Sequence, residues 1–382
     1  MILKNSHSSI LSRGFFYSPV RQYAARRLLS LIRHIIIFAV VLTMNVAEVA
    51  KAASFPLPVE GDNIVGDIQV VTIANPNTTL LDIARHYDLG FEEITQVNPD
   101  VSVWVPKPGS RVIIPTEFIL PPGPLEGIVI NIPQMRLFYF PKPAPQQEAQ
   151  VITFPISIAR EGWRTPLGQS RIIAKHRDPS WFVPKSIQEE HRSEGEIEFP
   201  TYFPPGPDNP MGMLALQTGF AGIFIHGTNM PWGVGMRTSH GCLHLYPEDA
   251  AELFPIVPVG TPVRIIDEPV TIGARDGELY LSSSKPISEY PSALPVPSRA
   301  LSALVPYTQD SGSAYSYAEV DWQRVYEAAE AHRILPVPIS LGAPSAEELI
   351  AEVKPQSYEN EPYGPDANAA APPIILRGTD NN

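Results

Sequence analysis

The only cysteine of the chain, Cys242, lies in the sequence SHGCLHL, with one histidine two residues before it and another two residues after it. A thiol with an ordinary pKa of about 8.5 is only a few per cent thiolate at neutral pH, so a nucleophilic cysteine needs a nearby imidazole. His226, sixteen positions earlier, can reach Cys242 if residues 227–239 fold back as a loop between adjacent strands. The pattern therefore indicates nucleophilic chemistry by Cys242 with the help of a histidine.

The residues around Cys242 offer further groups for the same chemistry. If the segment is a strand, His240, Cys242 and His244 share one face, because alternate residues of a strand point to the same side. Gly241 lets the backbone approach a substrate closely, and the amides of Gly241 and Cys242 are candidate donors to a developing oxyanion. The spacing equally allows two structural histidines beside a buried cysteine, since Cys is among the most buried residue types.

A metal site is a second interpretation of the same residues. Zinc binds histidine nitrogen and cysteine sulfur, which are the ligand types offered by His226, His240, Cys242 and His244. The cluster contains no Asp or Glu to act as the base that a zinc hydrolase usually needs, although one could come from elsewhere in the chain. A His/Cys zinc hydrolase is therefore an alternative to a cysteine enzyme without a metal.

The elements that must hold these residues are mostly β-strands. The sequence GIVINIPQMRLFYF predicts two strands around a turn at Pro133 and Gln134, and VITFPISI, SRIIAKHR and FAGIFIH predict further strands. In this region YPEDAAELF is the only convincing helix pattern, with Pro247 suited to its first turn. The sequence thus predicts a mainly β fold, a curved sheet or β-sandwich over residues 125–270.

A smaller unit is predicted at residues 69–116. Apolar spacing in TLLDIARHY and FEEITQVN predicts two helices between the strands QVVTI and RVIIP. This βααβ order, with NP after the second helix and PG before the last strand, resembles a LysM module. That family binds the N-acetylglucosamine backbone of peptidoglycan or chitin, so the resemblance implies a glycan-binding domain. A small structural βααβ cap is the alternative.

Residues 1–53 predict a signal peptide. A basic lead precedes the apolar run IIIFAVVLTM, and VAKAAS supplies small residues for cleavage after Ala52 or Ala53. The apolar run is too short for a bilayer, which needs about 20 residues, so an uncleaved membrane anchor is the weaker alternative. Export into an oxidising compartment makes chemistry a better explanation of a lone thiol than packing.

The composition limits the remaining possibilities. A chain of 382 residues with 44% hydrophobic content can form two domains, and its net charge of −12 offers no electrostatic footprint for nucleic acid. The 43 prolines favour loops and short strands over long helices. Residues 271–382 predict a Pro/Ser-rich, partly disordered extension with one helix near 318–332, whose apolar face holds Trp322, Val325, Tyr326 and Ala329.

A larger part of the chain resembles the L,D-transpeptidase catalytic domain (YkuD-type), in its periplasmic Gram-negative branch with an N-terminal LysM-like module. The family signature is His-Gly followed, after a loop, by Ser-His-Gly-Cys. The matching residues here are His226, Gly227, Ser239, His240, Gly241 and Cys242. Further similarity in TPLG, PPGPDNPMG and VPVGTPVRIIDEP extends the resemblance over residues 125–270.

This resemblance implies a β-sandwich enzyme that remodels peptidoglycan in the periplasm without a cofactor or metal. Cys242 would attack the carbonyl before the terminal D-Ala of a tetrapeptide stem, His226 would move the proton, and His240 would support the site. The thioester would then pass to a diaminopimelate amine to form a 3-3 crosslink, to a lysine of an outer-membrane lipoprotein, or to water. The expected partners are therefore stems and glycan strands, and an outer-membrane lipoprotein as a further acceptor.

The resemblance also suggests substrate contacts at Gly227, Ser239 and His244. Position 244 is commonly Arg in this branch, and a histidine lacks the permanent charge and planar fork with which Arg holds a carboxylate. We therefore expect substrate binding at His244 to differ from that of relatives with Arg at this position, while the nucleophile is retained. A non-catalytic envelope scaffold that binds peptidoglycan is the alternative from another class, and the intact Cys and His pair argues against it.

Overall fold

The computed structural model describes residues 53–59, 61–308, 319–360 and 362–363. All but the last residue of the predicted signal peptide lie outside the described residues, as do residues 364–382. No helix within the described ranges has the length and apolar character needed to cross a membrane.

The secondary structure consists mainly of short strands. In chain order the strands are β1 (Ala53–Pro56), β2 (Ile64–Gly66), β3 (Gln69–Ile73), β4 (Arg111–Ile114), β5 (Glu117–Ile119), β6 (Gly127–Asn131), β7 (Arg136–Phe140), β8 (Gln150–Pro155), β9 (Ile158–Ala159), β10 (Gly168–Arg177), β11 (Trp181–Phe182), β12 (Tyr202–Phe203), β13 (Leu214–Thr218), β14 (Phe224–His226), β15 (Arg237–Ser239), β16 (Leu243–His244), β17 (Pro262–Ile266), β18 (Val270–Arg275), β19 (Glu278–Ser283), β20 (Val337–Pro338) and β21 (Gln356–Tyr358). The helices are α1 (Leu80–His86), α2 (Phe91–Val97), α3 (Lys185–Ser193), α4 (Pro247–Ile256), α5 (Val296–Thr308), α6 (Trp322–Glu330) and α7 (Ala346–Glu352).

A nine-stranded curled sheet forms the centre of the fold, in the order β1-β8-β7-β6-β17-β10-β13-β14-β16. Neighbouring strands are antiparallel except for β6 with β17 and β14 with β16, which are parallel. The long strand β10 pairs with β17 through its first half and with β13 through its second half, which lets the sheet bend. The prediction of a mainly β fold is confirmed.

The central strands are apolar on both faces because both faces are covered. Leu137 and Tyr139 of β7 point into a core that includes α4, whereas Phe138 and Phe140 point into a second core shared with α1 and α2. Since successive residues of a strand face opposite sides, a run such as RLFYF requires a cover on each side. The βααβ unit and the catalytic sheet therefore share one core.

The βααβ unit, called the βααβ module below, consists of β3, α1, α2 and β4 in the predicted order. Thr79 caps α1 reciprocally with Asp82: Thr79 Oγ1 accepts a hydrogen bond from the Asp82 amide at 3.1 Å, and Asp82 Oδ2 accepts one from the Thr79 amide at 2.8 Å. The strand β21, from the C-terminal part of the chain, pairs in parallel with β3. The glycan-binding role of this module stays a prediction.

The helix α3 was not predicted, since the sequence indicated only the helix that became α4 within residues 125–270. Only Ile187 of α3 is buried, and the rest of KSIQEEHRS is charged or polar. A helix of this kind carries no apolar periodicity from which it could be recognised.

The C-terminal extension is more regular than the sequence predicts. The described part contains α5, α6 and α7 instead of a single helix, and these pack with β18 and β19 around a core of their own. The predicted helix is α6, which buries Val325, Ala328 and Ala329. The helical spacing predicts that Tyr326 lies on the apolar face of this helix, but in the structure Tyr326 is 59% exposed.

Candidate active site

Cys242 lies at the edge of the curled sheet, directly before β16. Because β16 runs parallel to β14, Leu243 is opposite Ile225 and His244 is opposite His226. The Cys242 side chain is half-buried, and its Sγ lies 3.5 Å from the carbonyl oxygen of Gly222. The thiol is thus held on the sheet but can still be reached from solvent.

The segment around Cys242 is not the continuous strand that the sequence suggested. The strand β15 ends at Ser239 and β16 begins at Leu243, and Gly241 between them has a φ of +122°, a conformation that favours glycine. A Cβ on Gly241 would also lie 3.0 Å from the Arg164 carbonyl oxygen. His240, Cys242 and His244 therefore do not line one strand face, and each has its own surroundings.

The loop before β16 is fixed by its own hydrogen bonds. Ser239 Oγ donates to the Cys242 carbonyl at 2.5 Å and accepts from the Gly241 amide at 3.1 Å. Thr165 Oγ1 donates to the Gly241 carbonyl at 2.9 Å. Of the two amides expected to hold an oxyanion, that of Gly241 is already donated to Ser239, whereas that of Cys242 has no acceptor among the described residues.

His226 is buried at the end of β14, and its Nδ1 lies 2.6 Å from the carbonyl oxygen of Gly227. Because a carbonyl only accepts hydrogen bonds, this contact places the proton on Nδ1 and leaves Nε2 as the basic nitrogen. Burial lowers the pKa of His226 to about 4, against the opposing effect of the Gly227 and Met211 backbone. His226 is therefore a neutral imidazole at neutral pH.

Burial has the opposite effect on the thiol. It raises the pKa of Cys242 to about 11, although a hydrogen bond from the Phe224 backbone favours the thiolate. Within the described chain, the hydrogen bond of Sγ goes to Gly222 and none joins it to His226. The resting site therefore holds a neutral thiol beside a neutral imidazole, and the proton must move during attack.

His244 packs against His226. The two ring centroids are 4.7 Å apart, and the backbone of His244 exchanges two hydrogen bonds with Ser157. Burial lowers the pKa of His244 well below its ordinary value, and the neighbouring His226 and His240 lower it further. This surrounding favours a neutral ring that supports His226.

His240 belongs to a polar cluster that sequence reasoning missed. Its Nε2 lies 2.7 Å from Glu190 Oε2 on α3, and Trp163 Nε1 donates to the other oxygen of Glu190 at 3.0 Å. Burial lowers the pKa of His240 although Glu190 opposes this change, and the hydrogen bonds from Trp163 and His240 outweigh burial to lower the pKa of Glu190. No spacing in the sequence signals this contact, because Glu190 and His240 are 50 residues apart.

The predicted zinc set is not assembled in this arrangement. His226 and His244 are neighbours, but His240 turns to Glu190 and Cys242 to Gly222. Across the described ranges, no group of three or more His, Cys, Asp or Glu side chains is arranged to hold a metal ion.

The loop between β14 and β15 is attached to the βααβ module. The amide of Phe91 at the start of α2 donates to the Val234 carbonyl at 2.9 Å, and the amide of Glu92 donates to Gly235 at 3.3 Å. Gly90 and Gly235 approach so closely that a Cβ on either would collide with the other backbone. This loop, which begins directly after His226, therefore has a fixed position.

Comparisons with known proteins identify relatives of the chain. A family model of the L,D-transpeptidase catalytic domain (YkuD) matches residues 126–265. Probable L,D-transpeptidase YbiS of Escherichia coli is 41% identical over 254 residues, covering 66% of this chain and 80% of that protein. Probable L,D-transpeptidase ErfK/SrfK of Escherichia coli is 36% identical over 304 residues, covering 78% and 94%. A structure of L,D-transpeptidase 3 from Mycobacterium tuberculosis is 20% identical, with coverage of 43% and 73% and a TM-score of 0.27.

Proposed function

The chain belongs to the L,D-transpeptidase family, and on that premise we propose that Cys242 is its acyl-carrying nucleophile and His226 its general base. The protein is a peptidoglycan-remodelling L,D-transpeptidase, a cysteine acyltransferase. The observation that supports the assignment of residues is the position of Cys242 directly before β16, next to the strand β14 that carries the buried imidazole of His226, whose Nδ1 faces a backbone carbonyl. Deletion of either group removes one half of a proton-transfer pair.

In the first half-reaction, Cys242 Sγ attacks the carbonyl that joins the third stem residue to the terminal D-Ala. The thiol proton moves to His226 Nε2 as the carbon–sulfur bond forms, and the amide of Cys242 donates to the developing oxyanion. The proton then passes from His226 to the departing nitrogen, the carbon–nitrogen bond breaks, and D-Ala leaves. A thioester on Cys242 remains.

In the second half-reaction, an acceptor attacks the thioester. A diaminopimelate amine gives a 3-3 crosslink, the lysine of an outer-membrane lipoprotein gives an anchored lipoprotein, and water gives carboxypeptidase action. His226 takes the proton of the attacking amine or water and returns it to the sulfur. We propose these acceptors for the periplasm, to which the signal peptide would deliver the protein.

The nucleophile is tested by variants at the single cysteine. Cys242→Ala and Cys242→Ser should both lose transfer between tetrapeptide muropeptides, measured by mass spectrometry of the products, because neither can carry a thioester. His226→Ala should reduce the rate by about a hundredfold to ten-thousandfold, and His176→Ala, at an exposed histidine outside the site, should not. Product formation by Cys242→Ala at the wild-type rate would exclude the proposed nucleophile.

We also propose that the βααβ module holds a glycan strand. A groove of about 600 Å³ between this module and the catalytic domain is lined by aromatic rings, including Trp104 and Trp232, which are 61% and 48% exposed. Rings that are exposed in a groove offer flat apolar surfaces to a ligand. Trp232 lies in the loop that follows His226, so the groove adjoins the domain that carries the candidate active site, which supports joint binding of glycan and stem.

A further inference from the structure

Two buried carboxyl groups meet where the βααβ module contacts the catalytic domain. Asp88 follows α1 and Asp249 lies in the first turn of α4, and each residue is only 5% exposed. The two side chains lie within hydrogen-bonding reach of each other, yet Asp88 Oδ1 and Asp249 Oδ2 are buried without a donor in the described chain. We call these two residues the Asp pair. Two buried carboxylates at this distance cannot both be charged unless a cation lies nearby. Without such a cation, one of the two carboxyl groups must hold a proton.

The arginines near the Asp pair are already committed to other carboxylates. Arg136 holds Glu93 in a two-bond ion pair at 2.7 and 2.8 Å, and Arg85 holds Glu248 in another at 2.6 and 2.8 Å. The titratable groups that face the Asp pair are Glu93, Arg136, Tyr246, Glu248 and Glu252. Arg136 is the one cation among these groups, and its guanidinium is already paired with Glu93.

A second cation can come from the backbone nitrogen of Ala53. The Ala53 nitrogen donates to Asp88 Oδ2 at 3.0 Å, and β1 fixes it by pairing Ala53 with Thr153 of β8. Cleavage after Ala52 would leave Ala50 and Ala52 in the A-x-A pattern of a signal peptidase site, whereas cleavage after Ala53 would put Lys51 at a small-residue position. Only the first cut leaves the nitrogen of Ala53 in place as a new chain terminus.

We propose that a signal peptidase hydrolyses the Ala52–Ala53 peptide bond, and that the resulting α-ammonium of Ala53 forms an ion pair with the buried Asp pair. Water is added across the peptide bond, so that the carbonyl of Ala52 becomes a carboxylate and the nitrogen of Ala53 becomes an ammonium. The new charge neutralises one carboxylate, and a proton shared between the two aspartates neutralises the other. Leader removal thereby completes the contact between the βααβ module and the catalytic domain.

This ion pair lies close to the chemistry. The helix α4, which carries Asp249, begins three residues after His244, and Tyr246 between them donates its hydroxyl to the Leu89 carbonyl at 3.0 Å. Leu89 directly follows Asp88 and precedes the start of α2, which binds the loop between β14 and β15. The precursor, with a neutral amide at Ala53, would hold these elements less firmly than the processed enzyme.

The pH dependence of stability separates the two forms. In the precursor, burial raises the pKa of Asp88 to about 6, so the protonated pair is stable at low pH and that stability is lost as pH rises through about 6. In the processed form, the ammonium lets Asp88 remain charged. The ammonium contributes to the free energy of unfolding below the ordinary amine pKa of about 7.7 to 8.0, and this contribution is lost only as the pH rises above that range.

The test compares the full-length precursor from the cytoplasm with the protein recovered from the periplasm. Intact mass should place the processed N-terminus at Ala53, and its thermal midpoint at about pH 7.5 should exceed that of the precursor by at least about 2 °C. This gap should shrink at about pH 5, where the precursor's Asp pair is protonated. Asp88→Asn should close the gap, whereas the matched variant Asp100→Asn, at an exposed aspartate of the same module, should retain it.

A second measurement does not depend on how the variant folds. In the wild-type processed protein, the Ala53 amine should react with an acylating reagent at about pH 8 at least about tenfold more slowly than an alanyl peptide does, because it is half-buried and paired with a buried carboxylate. An N-terminus at Ser54 or later, equal thermal midpoints for both forms, or an amine as reactive as the peptide would overturn the proposal. The inference rests on the proposed export but not on the proposed acyl transfer, and absence of any processed protein would instead argue against export.

Discussion

The state of the Cys242 thiol before substrate binds can be tested by raising the pH. With a pKa of about 11 for Cys242, about one molecule in ten thousand carries a thiolate at pH 7, and this fraction grows tenfold with each pH unit. Alkylation by iodoacetamide requires the thiolate, so its rate should rise by about a thousandfold between about pH 6 and pH 9. A thiolate paired with a protonated histidine would already be fully formed across this range.

The assay is simple because Cys242 is the only cysteine in the sequence. Intact mass spectrometry after timed exposure to iodoacetamide gives the rate directly, and N-acetylcysteine provides a reference whose rate levels off near its ordinary pKa. His226→Ala should hardly alter the slope for the resting enzyme, because a neutral imidazole does not stabilise a thiolate by charge. A rate that levels off below about pH 7 in the wild type, and loses this plateau in His226→Ala, would refute the neutral resting pair.

Three further predictions concern groups around the thiol. Gly241→Ala should lower the free energy of unfolding by about 1 to 3 kcal/mol in urea titrations and reduce transfer, because alanine is strained at a φ of +122° and its Cβ approaches Arg164; unchanged stability would contradict this. Glu190→Gln should lower the pKa of His240 in an NMR titration, because a carboxylate that favours the imidazolium is lost, whereas Glu194→Gln should leave it unchanged; equal shifts would dismiss the Glu190 contact. Trp104→Ala should reduce sedimentation with insoluble peptidoglycan more than it slows turnover of small soluble stems, whereas Val105→Ala, at another exposed residue, should change neither quantity; equal sedimentation of the wild type and both variants would argue against a glycan role for the groove.

The parts of the fold that the sequence predicts are those encoded by local periodicity. The β-branched and aromatic runs of β6 and β7, the helical spacing of α1 and α2, and the proline at the start of α4 each follow from rules that act over a few residues. The position of Cys242 and His226 on neighbouring segments of the sheet was also accessible, because it needs only a loop between adjacent strands. The roles of both residues stay predictions until they are measured.

The parts that could not be predicted depend on contacts between distant segments. Glu190 reaches His240 from a charged helix, and the strand β21 pairs with β3 across the whole length of the described chain. The high proline content of the C-terminal extension suggested disorder, but α5 and α6 are ordered by packing on β18 and β19. Composition reports the average behaviour of a segment, whereas its order depends on the apolar surface that another segment offers.

The shared core affects how the βααβ module can contribute to catalysis. Had the module been a tethered domain, glycan binding would only raise the local concentration of stems near Cys242. Here one face of the sheet supports the active site and the opposite face supports the module, and α2 binds the loop between β14 and β15 directly. If the module binds a glycan strand as proposed, that glycan is held in a fixed orientation relative to the sheet that carries Cys242. Fixed presentation of this kind reduces the orientational entropy that the transfer step must otherwise lose.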